Sequence, residues 1–247
     1  MQTYNLFWRS VKWRFQNPVT IIMTLVQPLI WLLLFSTIFS GSNAEENYTA
    51  FILPGILVMG VLSSSGVSGI ANYSLKTGGS FYRIMISPVK RSSIILAHIL
   101  DAAVLSFIQI TILMGIAFLM SVRIVSGMGG VLLIAVLLFL TVAFVAAVSY
   151  SISLTLPDEN SFIALINTFT LPLFFVSSAL IPFEQLHGGF RIAAMINPFT
   201  HVVNALRMLA QGAAIDWFQL FSVGVLLLVL GAISFIIAVL SLKKDSH

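Results

Sequence analysis

An all-α polytopic membrane protein with six transmembrane helices is predicted by the way charge is distributed along the chain. The 20 formal charges of the 247 residues fall in short clusters, and uncharged runs occupy 15–44, 47–75, 102–122, 124–157, 160–183 and 217–242. Each run has the ~20 apolar residues that a helix needs to cross roughly 30 Å of hydrocarbon. Charged residues make up 8% of the chain and hydrophobic residues 59%, far from the roughly 25% charged content of a soluble domain. The apolar stretches are continuous, without the ten-residue alternating segments of a barrel.

The spans are placed at about 18–40, 51–73, 94–120, 131–155, 161–181 and 218–242, within a single transmembrane domain covering 1–247. The first apolar run is too long for a cleaved signal peptide, whose apolar region is about 7–15 residues, so it is read as a true span. With a cytoplasmic N-terminus, Arg9, Lys12, Arg14, Lys76, Arg83, Lys90, Arg91, Lys243 and Lys244 lie inside, which is 9 of the 12 Lys and Arg. Arg123, Arg191 and Arg207 are left outside. This asymmetry places both termini in the cytoplasm. The net charge of +4 is thereby a topology signal and gives no reason to expect a nucleic-acid partner. The absence of cysteine excludes disulfides and thiolate chemistry.

Before the first span, Tyr4, Phe7, Trp8, Val11 and Phe15 recur at helical spacing, with Asn5, Arg9, Lys12 and Gln16 on another face. An amphipathic helix over 3–16 is expected to lie flat at the membrane interface. After the second span, Gly78-Gly79 breaks the descending helix, Ser80 can cap a new one, and Ser87-Pro88 ends it. About two turns of helix then show Phe81, Ile84 and Met85 on one side, either as a protein contact or lying back on the bilayer. Leu156-Pro157-Asp158-Glu159-Asn160 forms a short, acidic inside loop.

The outside segment 182–217 is punctuated by Pro182, Gly188-Gly189 and Pro198. Its uncharged stretch 192–206 is too short to cross, and fits a re-entrant helical hairpin in the outer leaflet or an amphipathic surface lid. His98, Asp101 and Gln109 share one face of the third span, and should face protein or water because a carboxylate in hydrocarbon costs about 2.5–3.5 kcal/mol at a helix centre. Asn167, Thr168 and Thr170 before Pro172 suit a broken fifth span facing a pathway. Ala143, Ala146, Ala147 and 149–153 suit close helix packing. Asn47-Tyr48-Thr49 matches a glycosylation acceptor, a common chance match.

Gly78-Gly79 with Phe81-Tyr82-Arg83-Ile84 and Ser87-Pro88-Val89-Lys90-Arg91, followed later by Asn197-Pro198-Phe199-Thr200 and Ala205-Leu206-Arg207, resembles type-2 ATP-binding-cassette export permeases, most closely the daunorubicin-resistance-type branch. The inside loop is wholly basic where such permeases often carry an acidic residue. No G-x-x-x-x-G-K-[ST] phosphate loop occurs, so the resemblance implies a non-enzymatic transporter subunit that binds no cofactor itself, with ATP and Mg on a separate ATPase subunit present in two copies. It further implies a second permease chain, identical or a sibling, and residence in the bacterial cytoplasmic membrane among its lipids. Ser80, Phe81, Tyr82, Arg83, Ile84 and Met85 would form the coupling helix seated on the ATPase, with Asp158 and Glu159 close by. Phe190, Asn197, Pro198, Phe199 and Arg207 would belong to an outer gate. The implied activity is export of an amphipathic drug, antibiotic or lipid-like molecule, with lipid-linked polysaccharide export as the alternative. An ion-driven secondary transporter using His98 and Asp101 is the reading from a different class.

Overall fold

The computed structural model describes residues 3–4, 6–8, 11–12, 18–39, 48–79, 81, 89–212 and 215–244. Regular structure among them is entirely helical. The described residues of 3–12 are helical, and the exposed rings of Tyr4 and Trp8, one turn apart, stack at 6.4 Å. The main helices are α1 (Pro18–Phe39), α2 (Tyr48–Ser68), α3 (Ile70–Thr77), α4 (Arg91–Leu119), α5 (Gly127–Thr155), α6 (Glu159–Phe175), α7 (Gly188–Ile196), α8 (Pro198–Gln211) and α9 (Trp217–Lys244).

Four helices among the described residues are long and apolar enough to cross a membrane: α2 continued by α3, α4, α5 and α9. Helix α2 is the central post. It is buried along nearly its whole length and packs against α1, α4, α5, α6 and α8, while α9 lies along α5 and keeps a broad apolar face exposed. Its sequence explains the position, because small residues let neighbours approach. At Gly55 an added Cβ would sit 2.6 Å from Ala179 Cβ, and at Gly69 it would sit 2.5 Å from Phe162 Cζ. In hydrocarbon such close van der Waals packing replaces the hydrophobic drive that water supplies elsewhere.

The α2/α3 break at Gly69 has an identifiable cause. Ser149 of α5 inserts between the turns: its hydroxyl donates to the Gly66 carbonyl at 2.7 Å, and the Gly69 amide donates to Ser149 Oγ at 3.2 Å. The Ser68 hydroxyl meanwhile donates to the Ser65 carbonyl at 2.5 Å, where the Gly69 amide would otherwise bond. A side chain wedged into the ladder bends a helix without unsatisfied groups.

Helix α1 carries a second irregularity. Pro28 cannot donate the amide that a helix aims at the Thr24 carbonyl. Gln109 Nε2, from the middle of α4, donates to that carbonyl at 3.1 Å. Gln109 Oε1 is buried with no partner among the described residues. Gln109→Leu therefore removes one useful donor and one orphaned acceptor together. Because an unmade buried bond costs about 1–3 kcal/mol, a net loss of about 1 kcal/mol is expected, read as a lower melting temperature in detergent. A rise would show that the orphaned oxygen dominates.

One predicted element ends early. The span set at 161–181 stops being helical at Phe175, since Pro172 and the Ser177 hydroxyl, which donates to the Phe174 carbonyl at 2.6 Å, close the last turn and release 176–181 as irregular chain. With 17 residues, α6 is about 26 Å long, below the nominal hydrocarbon thickness. Segment 182–217 resolves into a 3₁₀ turn at Phe183–Gln185 and the pair α7 and α8, broken at Pro182, Gly188 (φ +60°) and Pro198 as expected.

Candidate coupling surface and outer segment

At the end of the bundle where α3 stops, Gly78 and Gly79 (φ +66°) turn the chain out of the helix. The next described residue, Phe81, is 5% exposed and belongs to the hydrophobic core, with Lys76 Nζ 5.3 Å from its ring centroid. The Phe81 ring thus packs on the bundle and does not stand out from it. Ser80, Tyr82, Arg83, Ile84 and Met85 lie outside the described residues.

The acidic loop is brought to the same place. The Tyr73 hydroxyl of α3 donates to the Leu156 carbonyl at 3.3 Å, and the Tyr73 and Phe162 rings lie 5.7 Å apart. Asp158 and Glu159 are fully exposed beside them. Asp158 caps α6, accepting from the Ser161 amide at 2.8 Å and its hydroxyl at 2.7 Å. Those bonds, the amide first, hold its carboxyl below the usual carboxylate range. The cap keeps the first turn of α6 formed while leaving the negative charge on the surface.

At the opposite end, the irregular 176–181 segment is held by side chains from two helices, α8 and α2. Arg207 of α8 donates through Nη2 to the Ser178 carbonyl at 2.8 Å and the Ala179 carbonyl at 3.4 Å, and through Nε to the Phe51 carbonyl at 3.2 Å. Its guanidinium carbon lies 3.7 Å from the Phe51 ring centroid. Asn204 Oδ1 accepts from Arg207 Nη1 at 3.3 Å and from the Ser178 hydroxyl at 2.6 Å. Tyr48 of α2 donates to the Leu180 carbonyl at 3.2 Å. Asn197 caps α8 through the Phe199 amide at 3.0 Å and donates to the Leu173 carbonyl at 2.7 Å. Non-helical backbone at membrane depth must find partners inside the protein, and here each of these carbonyls does.

Of the five residues assigned to the outer segment, Asn197 and Phe199 are buried, and Phe199 stacks on Phe144 of α5 at 6.1 Å. Pro198 opens α8, Arg207 is half-buried and Phe190 on α7 is 67% exposed. They do not converge on one point: Asn197, Phe199 and Arg207 belong to the framework, and Phe190 stands apart.

The polar stripe of α4 is buried in the chain. His98 Nε2 lies 3.1 Å from Ser68 Oγ and its ring packs 4.9 Å from that of Tyr150, Asp101 is 4% exposed, and Gln109 serves α1. His98 and Gln109 thus engage different helices. Sequence reasoning missed Gly69, Ser178 and Asn204, and had Ser149 only as part of a small-residue packing surface. The run Ser63-Ser64-Ser65-Gly66 with Ser68-Gly69, small and hydroxylated inside an apolar span, was the available signal. Among the described residues no group of three His, Asp or Glu could hold a metal ion.

A helical bundle with apolar outer faces, buried polar joints and an irregular segment fastened at one end is the architecture of a membrane permease. The chain belongs to the ABC-2 type transporter family, which it matches over residues 1–210. It is 30% identical over 200 residues to a Cyanophora paradoxa protein named as a transport permease, ycf38, covering 78% of this chain and 69% of that one. The ycf38 permease of Porphyra purpurea is 28% identical over 211 residues, with 83% and 71% covered. The daunorubicin resistance ABC transporter permease protein DrrB1 of Streptomyces coeruleorubidus is 25% identical over 254 aligned positions, with 99% and 87% covered. Permeases of this family typically work with an ATPase subunit.

Proposed function

We propose that the chain is the membrane half of an ATP-driven exporter, with α1 and α6 completing six spans, both termini in the cytoplasm of a bacterial cell and the α7/α8 pair re-entrant in the outer leaflet. A separate ATPase subunit, in two copies, docks on the surface formed by segment 80–85, the 156–161 loop and the N-terminal interfacial helix. Two permease chains, identical or sibling, pair to enclose the path. The observation that supports this most directly is the convergence of α3, Phe81 and the acidic loop at one end of the bundle. Phe81 serves as the anchor that holds the coupling helix to the bundle, while Tyr82, Arg83, Ile84 and Met85 supply the contact. Phe190, exposed on α7, is the gate residue that can move, and Asn197, Pro198, Phe199 and Arg207 form its frame.

The partner face of the permease pair is α6. Asn167 and Thr168 are exposed on it, and an amide facing hydrocarbon is costly, so this face turns toward the second copy or the path. The substrate class is an amphipathic drug, antibiotic or lipid-like molecule. That choice follows the name of the Streptomyces relative, and lipid-linked polysaccharide export remains its alternative.

The test is co-purification of the tagged chain with its ATPase, followed by substrate movement into inverted vesicles. Arg83→Glu with Ile84→Asp, leaving Phe81 in place, is expected to abolish recovery of the ATPase and ATP-dependent movement while the permease still reaches the membrane. Normal ATPase recovery by that double variant would sink the docking assignment. Movement that persists without ATP and collapses with the proton gradient would instead favour an ion-driven mechanism through His98 and Asp101.

A further inference from the structure

Between the end of α4 and the start of α2 lies a half-open cleft of about 610 Å³. Its walls are Leu53, Met114, Gly115, Phe118 and Ile124, and Arg123 is the only charged residue lining it among the described residues. Ligand sites of ~300–1,000 Å³ are commonly apolar with a few placed polar groups, and this cleft has that composition.

The position of Arg123 is built rather than incidental. Helix α4 closes with the Ser121 amide donating to the Phe118 carbonyl and the Val122 amide to the Ala117 carbonyl, both at 3.0 Å. Ser121 takes the left-handed conformation at φ +68°, the only non-glycine residue to do so among the described residues. That reversal buries Val122 and returns Arg123 over the cleft mouth, a few residues past the apolar helix. The rest of the connection is fastened to α8, where the Val125 amide donates to the Ala210 carbonyl at 3.1 Å. Arg123 itself is exposed and has no hydrogen-bond or ion-pair partner among the described residues.

We infer that this cleft binds an anionic phospholipid, one acyl chain lying between Leu53, Met114 and Phe118 and the headgroup phosphate held by the Arg123 guanidinium. An apolar trough with a cation at its edge matches such a lipid in both parts, acyl chain and phosphate. Arginine is suited to the phosphate because its planar fork offers paired donors. In the orientation proposed above the site lies in the outer leaflet, but the binding chemistry does not depend on that orientation.

The test uses the whole chain, purified in detergent and offered equimolar phosphatidylglycerol and phosphatidylcholine, with bound lipid counted by native mass spectrometry. Wild type is expected to retain phosphatidylglycerol preferentially, and Arg123→Gln to lose that preference by about tenfold, the loss of one charge-assisted phosphate contact. Gly115→Leu gives an independent arm. A Cβ at Gly115 meets nothing within 4 Å, so the side chain grows into the cleft rather than into the bundle. It should displace the lipid while leaving the lipid-free melting temperature unchanged. Equal retention of both lipids by wild type, or wild-type retention by either variant, overturns the proposal. So does efficient disulfide cross-linking of Phe118→Cys between two copies, because a second protein would then cover the cleft.

Discussion

Arg207→Ala is expected to be the most damaging single change around the irregular 176–181 segment, lowering stability by about 3 kcal/mol or more and abolishing transport. The reason is the number of acceptors that depend on one side chain. The carbonyls of Phe51, Ser178 and Ala179 and the Asn204 amide oxygen all receive its N–H groups, and Phe51 also receives its face. The Ser178 and Ala179 carbonyls lose this donor, each at about 1–3 kcal/mol, while Asn204 Oδ1 keeps the Ser178 hydroxyl. Arg207→Lys is the informative control. It keeps the charge but replaces five donors in a fixed fork with a compact ammonium, so it should recover only part of the loss. Thermal melting in detergent and ATP-dependent substrate movement are the measurements. If Arg207→Ala melts with the wild type, the clamp does not hold the 176–181 segment.

Gly69→Val should be nearly as severe, for the opposite physical reason. The added Cβ would lie 2.5 Å from Phe162 Cζ, 2.6 Å from Ser149 Oγ and 3.0 Å from the Ser149 carbonyl oxygen. Phe162 is fully buried and cannot swing away, so the helices must separate. Overpacking of this kind costs typically 1–3 kcal/mol. The functional loss should exceed what that figure predicts, because separating α5 from Gly66 and Gly69 also removes the wedge that sets the α2/α3 angle. Gly224→Ala provides the comparison, since a Cβ there meets nothing within 4 Å. A Gly69→Val protein that melts and transports as the Gly224→Ala protein does would show that the close approach is not required.

The helices of this protein were legible in its sequence because bilayer thickness imposes length on apolar runs. α4, α5 and α9 begin and end within a few residues of the charge clusters that bracket them. Local punctuation was legible too: Gly78-Gly79 ends α3 and Asn197-Pro198 starts α8, each through its own backbone preference. What sequence reasoning could not reach was set by residues distant in the chain. Beyond the close of the helix at 159–175, Asn197 takes the Leu173 carbonyl and Arg207 and Tyr48 hold those of Ser178, Ala179 and Leu180, and nothing within 176–181 announces those donors. The same holds for Phe81. Its neighbours suggest an exposed docking face, but Lys76 and the packed bundle decide where the ring goes. His98 and Gln109 are read from the sequence as polar groups of one face, while their pairing with Ser68 and Thr24 depends on the neighbouring helices being in place.

The bond from Gln109 to the Thr24 carbonyl has a mechanical meaning. At that level α1 has no amide of its own to offer, so part of its hydrogen bonding resides on another helix. If α1 slid along α4 by even one turn, about 5.4 Å, the amide could no longer reach the carbonyl it serves. Rotation about the contact leaves the bond intact. Whatever force arrives at one end of α1, the cheap response of this pair of helices is to pivot at the Pro28 level, so that inward movement at one end becomes outward movement at the other.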